Sequence, residues 1–195
     1  QAQEVIDALR AVYPRLSFEI TTVKTAGDRD RKTPLKALGG KGVFVKELEE
    51  ALLRREIDIA VHSLKDMPTD VPGRLRLAAV TRRLDPRDVL VSAGGAGLSR
   101  LPAGAKIGTG SQRRMVQLMN FRPDVAAVDM RGNVDTRLRK CSDGEVDGVI
   151  LAAAALLRMK LADRISDYLS TDVFIPAVGQ GALGIEIRDN DALVS

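Results

Sequence analysis

The sequence predicts an α/β protein built from two lobes, and three observations lead to this prediction. Short apolar runs typical of buried strands alternate with segments in which apolar residues recur at helical spacing, which is the pattern of βαβ units. The chain has 195 residues, of which 45% are hydrophobic and 29% charged, enough to bury a substantial core. Two breaks that contain proline or glycine, at 82–87 and 176–181, flank one block of strands and helices.

These breaks set the expected domain boundaries. Residues 1–81 and 182–195 would form the first lobe, and residues 88–175 the second, with 82–87 and 176–181 as the two crossings. Because helices separate most successive strands, we expect mixed sheets in which parallel pairs predominate and the crossovers are right-handed.

In chain order, the elements predicted for the first lobe are a helix over 1–13, a strand over 17–23, a long loop over 25–42, a helix over 43–55, and strands over 57–61 and 75–80. Apolar residues at helical spacing support both helices, and Pro14 ends the first. Alternation and β-branched residues support the strand over 17–23, whereas the apolar run over 57–61 fits a buried parallel strand. The loop is charged and rich in glycine, as active-site lids often are.

The second lobe should repeat a strand–helix unit several times. In chain order, its predicted elements are a strand over 89–91, a loop over 94–104, a strand over 106–108, a helix over 111–121, a strand over 125–130, a helix over 133–140, a strand over 146–151 and a helix over 152–161. A last strand over 183–187 returns to the first lobe.

The composition excludes some classes of protein. The net charge of +4 permits an acidic partner, but basic and acidic residues are interspersed and aromatic residues make up only 3%, which argues against nucleic-acid binding. The one cysteine, Cys141, excludes an internal disulfide framework and suggests a reducing compartment. We find no apolar stretch of about 18 residues and no secretory signal. The chain begins at Gln1 within a helical pattern, so we expect further sequence upstream.

The turn Gly108-Thr109-Gly110-Ser111-Gln112-Arg113-Arg114 joins a predicted strand to a helix. Ser111 suits the N-cap, and the first turn of a helix attracts anions. Arg113 and Arg114 lie at the end of the helix where a cation costs about 0.3–1 kcal/mol, so we expect an anionic partner. The alternatives are that both side chains extend into solvent or pair with acidic residues elsewhere. The spacing is not that of a Walker loop.

Two further turns follow predicted strands. Arg131-Gly132-Asn133 opens a helix in the same way, with Arg137 one turn further on. His62-Ser63-Leu64-Lys65-Asp66 follows the strand over 57–61, and its carboxylate suits stabilisation of a developing positive charge or proton transfer. Strand carboxyl ends share one crevice in open α/β sheets, so we expect the three turns to meet in a cationic pocket containing one carboxylate. The alternative is that Asp66 only caps its turn or pairs with an arginine. His62, as a lone histidine, is expected to have neither a metal-binding nor a base role.

Seven sequence blocks, taken together, resemble the porphobilinogen deaminase (hydroxymethylbilane synthase) family over nearly the whole chain. They are Thr33-Pro34-Leu35, Gly40-Lys41-Gly42-Val43-Phe44-Val45-Lys46-Glu47-Leu48-Glu49, His62-Ser63-Leu64-Lys65-Asp66-Met67-Pro68, Asp85-Pro86-Arg87-Asp88, Gly108-Thr109-Gly110-Ser111-Gln112-Arg113-Arg114, Arg131-Gly132-Asn133-Val134 with Arg137, and Pro176-Ala177-Val178-Gly179-Gln180-Gly181-Ala182. The resemblance implies a two-lobed architecture like that of type II periplasmic binding proteins, with the active site in the cleft. It also implies a transferase that condenses four porphobilinogen molecules, with loss of ammonia, onto a cysteine-bound dipyrromethane cofactor.

The resemblance also implies roles for individual residues. Asp66 would be the catalytic carboxylate. The expected cofactor-binding residues are Ser63, Lys65, Thr109, Ser111, Arg113, Arg114, Arg131, Gly132 and Arg137. The expected substrate-binding residues are Arg158, Gln180, Lys41 and Asp28, the last two on the loop over 25–42. Each pyrrole brings an acetate and a propionate, which a guanidinium-lined site would bind and orient. We expect no metal, no membrane, no nucleic acid, a monomeric state and a cytoplasmic location, or an organellar one after removal of a transit peptide.

The chain departs from the family pattern in several places. The family's first strand would precede Gln1, and its third domain, with the cofactor cysteine, would follow Ser195. Cys141 does not match the motif of that cysteine and is not assigned its role. Gly110 and Gln112 stand where we expect Ser and Leu, which removes one hydroxyl contact. The alternative function is a non-catalytic module of the same fold that binds small carboxylates.

Overall fold

The computed structural model describes residues 1–23, 45–192 and 194. The chain divides into two compact units. Unit 1 comprises Gln1–Arg83 and Ala182–Ser195, and unit 2 comprises Leu84–Gly181. Each unit contains one β-sheet with helices packed against it.

The helices are α1 (Ala2–Val12), α2 (Lys46–Leu53), α3 (Gln112–Phe121), α4 (Val134–Ser142) and α5 (Ala153–Arg158). The strands are β1 (Ala60–Ser63), β2 (Leu75–Val80), β3 (Asp88–Ser92), β4 (Lys106–Thr109), β5 (Ala126–Asp129), β6 (Gly148–Ala152), β7 (Asp167–Tyr168) and β8 (Leu183–Arg188). Single 3-10 turns cover Leu64–Asp66, Leu98–Arg100 and Ala162–Arg164. Among the described helices, none is both long and apolar enough to cross a lipid bilayer.

The sheet of unit 1 has the order β1-β8-β2, and β8 pairs antiparallel with both neighbours. Leu52 of α2 packs with Ala60 and Leu75 to form the core of this unit. The expectation of a parallel strand over 57–61 is therefore wrong in both bounds and direction. β8 is the strand that returns from the second crossing, and its direction is not visible in the local pattern of β1.

The predicted strand over 17–23 is also wrong, because the structure shows irregular backbone there. The alternating pattern supplies suitable side chains, but a strand also needs a neighbour to complete its hydrogen bonds. No strand in the described parts of the chain pairs with this segment. Ile20 accordingly remains 52% exposed.

The sheet of unit 2 has the order β5-β4-β6-β3-β7. β4 is parallel to β5 and β6, whereas β3 is antiparallel to β6 and β7. The predicted α/β class with mixed sheets is confirmed. The predicted predominance of parallel pairs is not, because within the described chain parallel pairing is confined to β4 and its two neighbours.

Two apolar cores cover the two faces of this second sheet. Side chains alternate along a strand, so Val89 and Val91 of β3 enter one core while Leu90 enters the other. β3 and β6 are buried at every position, which explains their continuous apolar runs in the sequence. The pairing brings the carboxyl ends of β4 and β5 to one edge of the sheet, where the candidate site lies.

Candidate functional site

The turns that follow β4 and β5 lie side by side. The two strands are parallel and in register, with Thr109 opposite Asp129 at their carboxyl ends. The backbones then stay close, because a Cβ atom added at Gly110 would lie 2.6 Å from the carbonyl oxygen of Met130. Only glycine fits this approach, which joins the two arginine-bearing turns into one surface.

Ser111 caps α3, as the sequence predicts, and its Oγ accepts a hydrogen bond from the Arg114 amide at 3.5 Å. Thr109 is fully buried, and its Oγ1 accepts from the Ser111 amide at 3.3 Å. From a buried position, Thr109 therefore fixes the backbone that leads into α3.

Arg113 and Arg114 share an anionic partner within the protein, the carboxylate of Asp88. Nη1 of Arg113 lies 2.7 Å from Oδ2 of Asp88, and Nη2 of Arg114 lies 2.8 Å from Oδ1. Arg114 is 5% exposed and also donates to the carbonyl of Ile150 at 3.2 Å. Arg113 is only half-buried, and it also donates to the carbonyl of Ile175. Pairing with an internal acid was the alternative to an external anion, and the structure shows that such a pair exists.

Asp88 is fully buried at the start of β3. Burial by itself raises the pKa of Asp88, but hydrogen bonds from Arg113, Arg114 and Gln180 outweigh it and hold the pKa below its ordinary value. Gln180 contributes through Nε2, which donates to Oδ1 of Asp88 at 2.9 Å and to the carbonyl of Pro86 at 2.6 Å. The carboxylate is therefore ionised and fully coordinated.

No role is predicted for Asp88 from the sequence, although a signal is present. An acidic residue directly before the apolar run Val89–Val91 is drawn into the core with its strand, and a buried carboxylate needs a cationic partner. The partner arginines are the misplaced pair at the start of α3, but they lie too far along the chain for local patterns to connect them.

The second turn is built in the same manner as the first. Oδ1 of Asn133 caps α4 by accepting from the Thr136 amide at 2.9 Å. Gly132 has a φ of 112°, which favours glycine, and Nε of Arg137 donates to its carbonyl at 2.9 Å. The guanidinium of Arg137 thus lies back over the turn that contains Arg131.

Arg137 lies in a surplus of positive charge. Burial lowers its pKa most, the charges of Arg114 and Arg131 lower it further, and Asp129 acts in the opposite direction. A guanidinium stays protonated at any physiological pH, so this lowering measures an unfavourable environment for the cation. We call Arg113, Arg114, Arg131 and Arg137 the arginine cluster. Asp88 pairs with Arg113 and Arg114, and the charge of Asp129 acts on Arg137. The arrangement is suited to binding a polyanion.

In unit 1, the 3-10 turn Leu64–Asp66 continues directly from β1. Lys65 and Asp66 are exposed on this turn, and Ser63 precedes it. Oγ of Ser63 accepts a hydrogen bond from Nε2 of Gln1 at 2.8 Å. The structure thus groups Ser63, Lys65 and Asp66 in one unit and the arginine cluster in the other.

His62 is buried and has a partner that is not predicted from the sequence. Its Nε2 lies 2.9 Å from Oε2 of Glu186, a fully buried residue of β8. Glu49 of α2 is close to both residues: burial and the charge of Glu186 raise the pKa of Glu49, whereas the charge of His62 lowers it. The pair lies beneath α2, on the side of the sheet that faces the core.

The remaining predicted residues lie apart from these groups or outside the description. Arg158 ends α5, and its Nη2 donates to the carbonyl of Gly181 at 3.0 Å, next to Gln180. Asp28 and Lys41 lie outside the described residues. Cys141 is buried in α4. In the part of the chain that the structure describes, no three His, Cys, Asp or Glu side chains come together as a metal site would require.

Comparison with known proteins gives one consistent result. A family model described as porphobilinogen deaminase, dipyromethane cofactor binding domain, matches residues 1–195. A porphobilinogen deaminase of Pelobacter propionicus is 52% identical over 195 residues, covering 100% of this chain and 63% of the relative. Another, of Syntrophus aciditrophicus, is 49% identical over 191 residues, covering 98% of this chain and 62% of the relative. The chain thus spans less than two thirds of the length of these relatives.

Among solved structures, the chain is similar to the substrate binding domain of a putative molybdenum ABC transporter from Clostridium difficile. The TM-score is 0.60 with 10% sequence identity, covering 100% of this chain and 82% of the other. At this identity the likeness concerns the fold alone. It agrees with the predicted type II binding-protein class.

Proposed function

The chain belongs to the porphobilinogen deaminase family, and on that premise we propose that it is the catalytic part of a hydroxymethylbilane synthase. The enzyme would condense four porphobilinogen molecules head to tail into a linear tetrapyrrole, with the release of one ammonia at each step. We further propose that it acts as a monomer in the cytoplasm. Cys141 is a free thiol, which fits a reducing compartment.

The observation that carries this proposal is the adjacency of the two cationic turns after β4 and β5. Parallel pairing places Arg131 and Arg137 beside the N-terminus of α3, where Arg113 is half-exposed. Every pyrrole of the product bears two carboxylates, so the growing chain gains negative charge with each unit. Guanidinium groups bind carboxylates through paired hydrogen bonds, which hold the chain and also orient it.

The residues present fit a dipyrromethane cofactor. Its carboxylates match the donors of Arg113, Arg131 and Arg137 and the free end of α3, where Ser111 already satisfies one amide. The turn that carries Arg131 depends on Gly132, whose φ is 112° and whose absent Cβ atom would lie 2.7 Å from Cγ2 of Thr136. When bound, the cofactor would supply the end to which the first substrate unit is joined. We propose that the cysteine that carries it is not Cys141, which is buried in α4.

We propose that Asp66 is the catalytic carboxylate. It lies exposed on a tight turn at the end of β1, so the fold presents it to a ligand. A carboxylate there would stabilise positive charge that develops on a pyrrole nitrogen as ammonia leaves. Lys65, beside it, would bind a substrate carboxylate.

The test is an Asp66→Asn substitution in the full-length protein that contains this chain. The variant should keep the shape of the side chain, retain pyrrole binding and lose turnover by about 10²–10⁴-fold. Ammonia release from porphobilinogen measures turnover, and intact mass measures bound pyrrole units. Asp70→Asn, at an exposed position nearby, is the matched control and should keep normal turnover.

Normal turnover by the Asp66→Asn variant would refute the catalytic assignment. If the unmodified full-length protein binds porphobilinogen but never releases ammonia, the alternative of a carboxylate-binding module would replace the proposed enzyme.

A further inference from the structure

The turn that carries Lys65 and Asp66 packs against one residue of β8. A Cβ atom added at Gly184 would lie 2.6 Å from Sδ of Met67 and 3.2 Å from Cδ1 of Leu64. Both distances are shorter than ordinary van der Waals contact, so these side chains already occupy the space that any side chain at Gly184 would need. Leu64 and Met67 lie on either side of the two charged residues in the sequence.

The backbone fixes the same turn to the same strand. The β1–β8 ladder ends with Ser63 opposite Leu183, and the Leu64 amide then donates to the carbonyl of Ala182 at 3.1 Å. The Met67 amide donates to the carbonyl of Leu64 at 3.3 Å and closes the turn. The turn therefore has two attachments to β8, one through its backbone and one through its apolar side chains.

The backbone conformation at Gly184 does not require glycine. Six other glycines among the described residues have positive φ angles, including Gly179 and Gly181, but Gly184 does not. Glycine in the middle of a strand lowers stability and often marks a place where another group approaches closely. Here the approaching groups are the side chains of Met67 and Leu64 from the charged turn and that of Leu77 from β2, whose Cδ1 would lie 3.1 Å from an added Cβ atom. The packing at Gly184 leaves no room for a side chain, and this is the reason that the position needs glycine.

We infer that Gly184 is a positioning residue for Lys65 and Asp66. Because Gly184 has no side chain, Leu64 and Met67 pack directly on the backbone of β8. This contact sets the distance between the sheet and the turn that carries Lys65 and Asp66. The inference rests on the proposed function, in which Asp66 acts at the reacting atoms. A misplacement of about 1 Å in such a group reduces catalysis by about hundredfold.

The experiment is a double-mutant cycle in the full-length protein, with Gly184→Ala, Met67→Ala and both together. Gly184→Ala should lower kcat for porphobilinogen by at least tenfold, because the reacting carboxylate moves, and should raise KM less than it lowers kcat, because Lys65 moves with the turn but the arginine cluster does not. Met67→Ala should lower kcat less. The double variant should come close to Met67→Ala, since the shortest of the three contacts, 2.6 Å to the sulfur, is then absent. Gly73→Ala is the matched control, because nothing lies within 4 Å of a Cβ atom there.

Wild-type kcat in Gly184→Ala would overturn the inference, and so would a double variant whose loss is the product of the two single losses. If Gly184→Ala does not fold, Met67→Ala decides the question alone, and an unchanged kcat would count against Gly184. If the unmodified protein converts no porphobilinogen, the proposed function fails and this inference fails with it. If the unmodified protein is active and the kcat of Gly184→Ala is unchanged, the inference about Gly184 fails and the proposed function stands.

Discussion

Asp88 shows how one buried carboxylate organises two arginines. It is fully buried, and Arg113, Arg114 and Gln180 all donate to it. Arg114 is nearly as buried, and its charge would destabilise the core without this partner. Arg113 is half-exposed and pairs with the same carboxylate from its other side. Arg114 therefore forms a buried ion pair with Asp88, whereas Arg113 forms its ion pair closer to the surface.

Asp88→Asn should destabilise the protein by about 3–5 kcal/mol, because it leaves the buried Arg114 cation without its counter-charge. Urea unfolding measured at neutral pH tests this. The matched control is Asp85→Asn, whose partner Arg87 has a side chain 43% exposed, and which should cost at most about 1 kcal/mol. Equal effects of the two substitutions would contradict the assigned role of Asp88.

The lowered pKa of Asp88 determines how the stability of the fold changes with pH. The pKa of Asp88 is below its ordinary value in the folded state, so the ionised pair contributes stability above about pH 4. That contribution is lost as the pH falls through the lower, folded-state pKa. The difference between wild type and Asp88→Asn should therefore shrink in strong acid.

At the scale of single elements, the sequence predicts type and order well where burial makes the pattern strong. β3 and β6 are covered on both faces, so their apolar runs are unmistakable, and Ser111 and Asn133 begin helices where their side chains suggest. The strand predicted over 17–23 fails because a strand depends on a neighbour that the local pattern does not contain. The direction of β8 relative to β1 is missed for the same reason.

In the candidate site, too, the features that follow from local sequence are predictable, and contacts between distant segments are not. The adjacency of the turns after β4 and β5 follows from parallel pairing and could be expected from the sequence. The contacts that hold those turns could not, because Asp88, Gln180 and Arg114 are brought together by the fold from three separate segments. Packing of Met67 on Gly184 is likewise a contact between distant segments.

Helix α2 carries an acidic residue, Glu49, whose ionised form is disfavoured in the folded state. The pKa of Glu49 is raised by burial first and by the charge of Glu186 second, so the folded state holds its proton more tightly than the unfolded chain does. The contribution of Glu49 to the free energy of unfolding is fully present below about pH 4. It is lost as the pH rises through the higher pKa that Glu49 has in the folded state.

Glu49→Gln should therefore raise the Tm at pH 7 and leave it unchanged near pH 4. Thermal unfolding followed by circular dichroism at both pH values measures the difference. The control is Glu50→Gln on the same helix, where the carboxylate pairs with Arg54 at 3.4 Å on the surface and removal should bring no gain. A gain of equal size at both pH values would show that charge is not the cause.

At the scale of the whole molecule, the two units differ in how the chain builds them. Unit 2 is one continuous segment, Leu84–Gly181, and contains all five strands of its sheet together with both of its apolar cores. Unit 1 is assembled from two segments, and its central strand β8 comes from the second of them. Without β8, neither β1 nor β2 keeps the neighbour with which it pairs.

Residues 84–181 expressed alone should therefore fold, with a cooperative thermal transition and amide protection concentrated in β3, β4 and β6. Residues 1–83 expressed alone should remain unfolded, because the backbone groups of β1 and β2 lose the strand between them. Adding a peptide of residues 182–192 in excess should restore structure to the second fragment by binding its folded form. Circular dichroism and hydrogen exchange on the two fragments provide the measurement. A folded 1–83 fragment in the absence of that peptide would show that β8 is dispensable, and an unfolded 84–181 fragment would show that its two cores do not suffice without unit 1.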